Sequence, residues 1–171
     1  PIDMTFAPSG DIFVLEKGRG TGEFSTGDLK LVRDGAVLPE PVLTLSTNAE
    51  RDSGLLALAL DPAFASNGFF YIWHATGIGS PDWIGNSQMR LSRFTFDFAT
   101  DTASLASEKV MLTVRRWSND HHGNGLKFDA AGNLLHSIGE LGSTATAGPQ
   151  NVNSFAGKVI RIRPNPDGTA S

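Results

Sequence analysis

Three stretches of this chain are variations on one another, and any fold must accommodate that repetition first. Met4–Leu15, Leu58–Trp73 and Leu126–Ile138 each read as a short strand, a turn and a second apolar strand. Each turn holds a glycine (Gly10, Gly68, Gly132), the residue that takes positive φ without steric cost. These glycines are spaced by 58 and then 64 residues. Similarity at such a period marks a repeat architecture, and four-stranded propeller blades are the all-β way to build one. The spacing exceeds the ~40–50 residues of small blades, so long loops are expected.

The intervening segments supply the missing strands. Asp28–Arg33 alternates apolar with polar and runs into Asp34-Gly35, a hairpin signal, and Pro41–Leu45 follows as the next strand. Gln88–Phe98 alternates cleanly, with Met89, Leu91 and Arg93 on one face and the apolar phase switching toward Phe94, Phe96 and Phe98. Val110–Val114 and Gly157–Arg163 complete the set. No segment holds a 3.6-residue apolar period over ten positions, so helix is minor, one turn near Asp101–Glu108. The expectation is an all-β chain of antiparallel four-stranded blades, nearly three of them, at roughly residues 1–50, 51–115 and 116–171. Propellers close with about four to eight blades, and open sheet edges invite aggregation. The chain therefore reads as part of a larger propeller, or as one whose copies pair to close a ring.

Charge narrows the partners. Fourteen basic and 18 acidic side chains give a net charge of −4, spread without blocks, which argues against nucleic acid or an anionic membrane surface. A neutral or weakly charged small molecule fits better. With no cysteine there is neither a disulfide framework nor a thiolate metal site. No run approaches the ~18 apolar residues of a membrane span, and no charged-then-apolar leader is visible.

The chemistry concentrates at Asp120-His121-His122-Gly123, where an acid and two imidazoles precede a glycine-rich turn and the apolar strand at Leu126 and Phe128. A proton acceptor held at a loop-to-strand boundary is rigid on one side and open on the other. The competing reading is a hydrated polar turn. His74 and His136 differ, each lying inside an apolar strand as a satisfied core or interface histidine would. Arg51-Asp52-Ser53 reads equally as an ordinary turn with a local ion pair of small energy. Trp73, Trp83 and Trp117 suit either a sugar face or the seams between blades.

Several of these segments together resemble the soluble glucose/sorbosone dehydrogenases, six-bladed propellers that use pyrroloquinoline quinone (PQQ). The matching segments, in order, are Leu38–Leu43 after Asp34-Gly35, then Glu50–Phe64, Asn67–Ile72, His121–Leu134 and Gly157–Ile162 before a Pro-Asp-Gly turn. With Leu126 and Phe128 as anchors, the family's histidine falls on His121 rather than His122. The resemblance implies oxidation of an aldose at its anomeric carbon to the lactone, with hydride passing to the quinone and His121 taking the hydroxyl proton. Glu140, after the glycine that ends the next strand, would orient His121. Asp120 and Asp52 would face sugar or cofactor, Asp52 standing where a Gln or Glu is usual, and Trp117 would stack on the sugar. PQQ and Ca²⁺ are the implied cofactors, with the cationic residues and carbonyls that hold them in later blades. An external electron acceptor and a periplasmic or secreted location follow from the same resemblance. A related propeller that has lost the quinone site and serves as a binding module is the alternative, as is an inactive fragment of the enzyme.

Overall fold

The computed structural model describes residues 1–19, 25–76, 88–144 and 148–171. Its strands form antiparallel sheets that repeat one topology. The first sheet runs β1 (Asp3–Phe6), β2 (Ile12–Leu15) and β3 (Ser25–Arg33) as a meander. Its outer position is shared by β4 (Ala36–Val37), which pairs with the end of β3, and β5 (Leu43–Thr47), which pairs with the start. The second sheet repeats this plan. β6 (Leu55–Leu60), β7 (Phe69–Ala75) and β8 (Gln88–Asp97) make the meander, and β9 (Thr102–Ala103) and β10 (Lys109–Arg115) divide the outer edge of β8. The third sheet contains β11 (Gly125–Phe128), β12 (Leu134–Ile138) and β13 (Lys158–Ile162), followed by a bridge between Pro164 and Ala170. The expected segments are all strands.

Turn chemistry sets the register. Asp34 and Gly35 both take positive φ, 53° and 78°, so they form the two-residue turn whose twist matches its strands, pairing Arg33 with Ala36. Gly10, Gly68 and Gly132 all have positive φ, as the repeat requires. Gly68 also ends a one-turn helix, α1 (Phe64–Asn67), that the sequence pattern does not announce. The turn expected near Asp101–Glu108 is a 3₁₀ turn at Leu105–Ser107, with the Ser104 hydroxyl accepting from the Ala106 N–H.

The second sheet is covered on both faces, and along β7 and β8 its side chains divide by alternation, while in β6 a register shift between Leu55 and Ala57 puts Leu56 and Ala57 in the same core. Phe70 and Ile72 of β7 and Phe94 and Phe96 of β8 face the first sheet, joining Phe13, Leu15, Leu29, Leu31 and Leu45 in one core. Tyr71, Trp73, Met89 and Leu91 face the third sheet, joining Val114, Leu126, Leu134, Ile138 and Ile162 in a second. Each fully buried aliphatic or aromatic side chain contributes roughly 1.5–3 kcal/mol. The apparent phase switch along β8 is one continuous alternation whose two faces are both apolar at different points. His74 and His136 are buried, as expected, but among the described residues each is satisfied at one ring nitrogen only. His74 Nε2 lies 3.2 Å from the Ser92 hydroxyl, and His136 Nδ1 lies 2.8 Å from the Gly125 carbonyl.

This stacking places two equivalent connections side by side. Residues 48–54 run from β5 into β6, and residues 116–124 run from β10 into β11. Each carries the chain from the outer edge of one sheet to the first strand of the next. Together with the segment after β12, they form the site.

Candidate active site

His121 has φ +60°, a left-handed conformation that costs a non-glycine residue about 1–2 kcal/mol. It persists because the surrounding backbone fixes it. Its N–H donates to Asp52 Oδ2 at 2.9 Å, and its carbonyl accepts from the Leu141 N–H at 3.1 Å. The Gly139 N–H donates to the His122 carbonyl at 3.2 Å, lacing the loop to the chain leaving β12. A Cβ on Gly139 would lie 1.9 Å from the His121 carbonyl oxygen, so only glycine fits there. The next residue, Glu140, then meets the imidazole, and its Oε1 bonds His121 Nδ1.

The two adjacent histidines have opposite fates. The His121 side chain is 65% exposed, whereas His122 is only 1% exposed. His122 Nε2 lies 3.0 Å from the Ser118 carbonyl, which fixes that nitrogen as the N–H donor. Nδ1 is then the acceptor facing the Ser53 hydroxyl at 3.4 Å. Burial pushes the His122 pKa below its ordinary value. His121 moves the other way: its bond to Glu140 and that carboxylate's charge raise its pKa, with smaller help from Asp120 and Asp52. The carboxyl of Asp52 is held low, chiefly by the His121 N–H.

Polar contacts, buried only around Ser53 and Arg116, tie the two connecting loops together. Asp52 N–H donates to the Asn119 carbonyl at 2.9 Å, and the Asn119 side-chain amide donates to Glu50 Oε2 at 2.9 Å. Arg116, buried, donates from Nη1 to the Ser53 hydroxyl at 2.9 Å and also bonds Asn119 Oδ1. Arg51 pairs with Asp120 at 2.6 Å, not with its neighbour Asp52, and the Lys17 ammonium caps the Arg51 carbonyl. A cleft of about 270 Å³ opens here, lined by Lys17, Arg51, Asp52, His121, Gly123 and Asn124 among others.

Of the residues singled out from the sequence, His121, Glu140 and Asp52 therefore meet, and Asp120 joins them through Arg51. Trp117 lies outside the cleft lining, its ring 5.7 Å from the Arg115 guanidinium. Trp73 is buried between the second and third sheets, and Trp83 lies outside the described residues. Sequence reasoning missed the clamp of Glu50, Ser53, Arg116 and Asn119. Arg116, a cation directly after an apolar strand and just before the polar run, is the one signal that pointed to it.

The fold is a partial β-propeller of consecutive antiparallel sheets of three to five strands, with an imidazole–carboxylate pair at the loops of one end. Residues 1–171 match the Glucose / Sorbosone dehydrogenase family, and the chain belongs to it. It is 31% identical over 188 aligned residues to the uncharacterized protein slr1608 of Synechocystis sp., covering 99% of this chain and 41% of that protein. Among solved structures, it resembles an oxidoreductase described as a glucose dehydrogenase from Thermus thermophilus, with TM-score 0.74 and 23% identity. That likeness covers 95% of this chain and 45% of the other. The PQQ-bound aldose sugar dehydrogenase of Streptomyces coelicolor gives TM-score 0.67 at 20% identity, over 96% and 44% of the two chains. The chain thus spans less than half the length of these relatives.

Proposed function

We propose that the complete protein oxidises an aldose at its anomeric carbon to the lactone, with His121 as the general base. The observation that carries this reading is the exposed His121 imidazole at the cleft, bonded through Nδ1 to Glu140. With Nδ1 turned to the carboxylate, Nε2 is the nitrogen available to take a proton from a sugar hydroxyl. Glu140 fixes the ring's orientation and stabilises the imidazolium once the proton arrives, as carboxylates do beside catalytic histidines. The Arg51–Asp120 pair at the rim would give sugar hydroxyls both a donor and an acceptor.

PQQ, when bound, supplies the hydride acceptor. The residues present would offer one edge of such a group a single cation: Lys17, whose ammonium caps the Arg51 carbonyl, lines the cleft with His121 and would face its carboxylates. The remaining contacts would come from blades beyond this chain. Among the described residues, no group of three or more His, Asp or Glu converges where a cation would sit, so no step here is assigned to Ca²⁺. An external electron acceptor would reoxidise the cofactor. Family membership supports a periplasmic or secreted location. No helix among the described residues is long and apolar enough to cross a membrane.

A dye-linked assay of the complete protein with PQQ, Ca²⁺ and a panel of aldoses tests the reading. Turnover is expected, and His121→Ala should lower kcat about 10²-fold or more. Turnover unchanged in that variant would remove His121 as the base. A wild-type protein that oxidises no aldose would leave the binding-module alternative.

A further inference from the structure

We infer that Asp52 is a positioning residue, one that places the His121 imidazole by holding its main chain instead of touching sugar or cofactor. This rests on the reading of His121 as the base. Three contacts anchor His121: Glu140 on its ring, the Leu141 N–H on its carbonyl, and Asp52 Oδ2 on its N–H. The first two come from the third sheet's own chain, just after β12. Only the third crosses from the loop that enters the second sheet.

The Asp52 contact is built to be rigid. Its own N–H donates to the Asn119 carbonyl at 2.9 Å, two residues before His121, so Asp52 brackets the loop from both sides. Its neighbours are pinned as well: Arg51 to Asp120, Ser53 to Arg116, and Glu50 to the Asn119 amide. A carboxylate on so fixed a loop is an effective acceptor for an N–H in strained left-handed backbone. That backbone turns His121 outward to Glu140 while His122 turns into the core. Without Asp52, the peptide before His121 is free to rotate, and the imidazole leaves Glu140.

The test compares Asp52→Ala with Asp52→Asn in the complete, PQQ-loaded protein. It measures kcat and KM for an oxidised aldose, and the His121 imidazole titration by NMR without sugar. Alanine should lower kcat about 10-fold or more with KM within about 2-fold, since a misplaced base costs rate and not ground-state binding. It should also bring the imidazole titration down toward the ordinary histidine value. Asparagine keeps an oxygen for the His121 N–H and should restore most of both. A rise in KM at unchanged kcat, or asparagine as poor as alanine, would overturn positioning in favour of direct contact. Should no aldose be oxidised at all, the proposed activity fails while the titration still decides. A wild-type His121 titration in the alanine variant then refutes the positioning role, and a lowered one rescued by asparagine sustains it.

Discussion

Replacing His136 by leucine should make the protein markedly more resistant to mild acid. His136 is wholly buried on β12, its Nδ1–H donating to the Gly125 carbonyl and its ring edge-on to Trp73 at 4.4 Å. Among the described residues its Nε2 has no hydrogen-bond partner. Burial pushes its pKa down from 6.5 to about 4. The sign follows from which state takes the proton first. Between those values the unfolded chain binds a proton that the folded chain refuses, so stability is complete above about pH 6.5 and falls as pH drops toward 4. Each pK unit is worth about 1.4 kcal/mol, so acidifying from pH 7.5 to 5.0 should cost about 2 kcal/mol through this residue alone. Leucine cannot titrate, and its loss of one hydrogen bond is offset by removal of the unpaired nitrogen, leaving stability at pH 7.5 within about 1 kcal/mol. Urea unfolding of both complete proteins at the two pH values isolates the difference from carboxylates common to both. Equal acid losses in wild type and variant would refute the reasoning, as would an NMR titration of His136 near 6.5.

Other perturbations probe the site. Because Glu140 raises the His121 pKa, the unprotonated base accumulates only above the ordinary histidine value. The acidic limb of kcat/KM should therefore lie above pH 6.5 and move downward in Glu140→Gln, read from a pH-rate profile. Gly139→Ala would drive a methyl into the His121 carbonyl, 1.9 Å away, and should displace the loop. The expected result is a kcat loss of about 10²-fold, with wild-type-like circular dichroism if the sheets survive.

Strands were legible wherever one rule governed a stretch. Alternation marked β3, β8 and β13, and Asp34-Gly35 announced its turn because only a two-residue positive-φ pair closes that hairpin. Where both faces of a strand are buried the rule blurs, which is why β8 looked like a change of phase. The division of each outer position between a short and a long strand has no local signature; it follows from how far β3 and β8 outrun their partners. At the site, His121 and Glu140 were reached through a family resemblance, and main-chain bonds between their segments bring them together. The ordinary-turn reading of Arg51-Asp52-Ser53 allows only a local ion pair, yet Arg51 reaches Asp120 on the other loop. Pairing between loops 69 residues apart, as between Asp52 and His121, leaves no trace in periodicity.

Asp52 and His121 occupy corresponding places in successive copies of one unit, each on the connection that leaves an outer strand and enters the next inner one. A duplicated unit delivers the same loop to the same end of the molecule every time, so proximity among these loops comes with the architecture. Only their side chains need diverge. One copy offers a carboxylate and its neighbour an imidazole, so an asymmetric polar cluster is composed on a symmetric frame. New chemistry on such a scaffold needs no new backbone, only disagreement between copies.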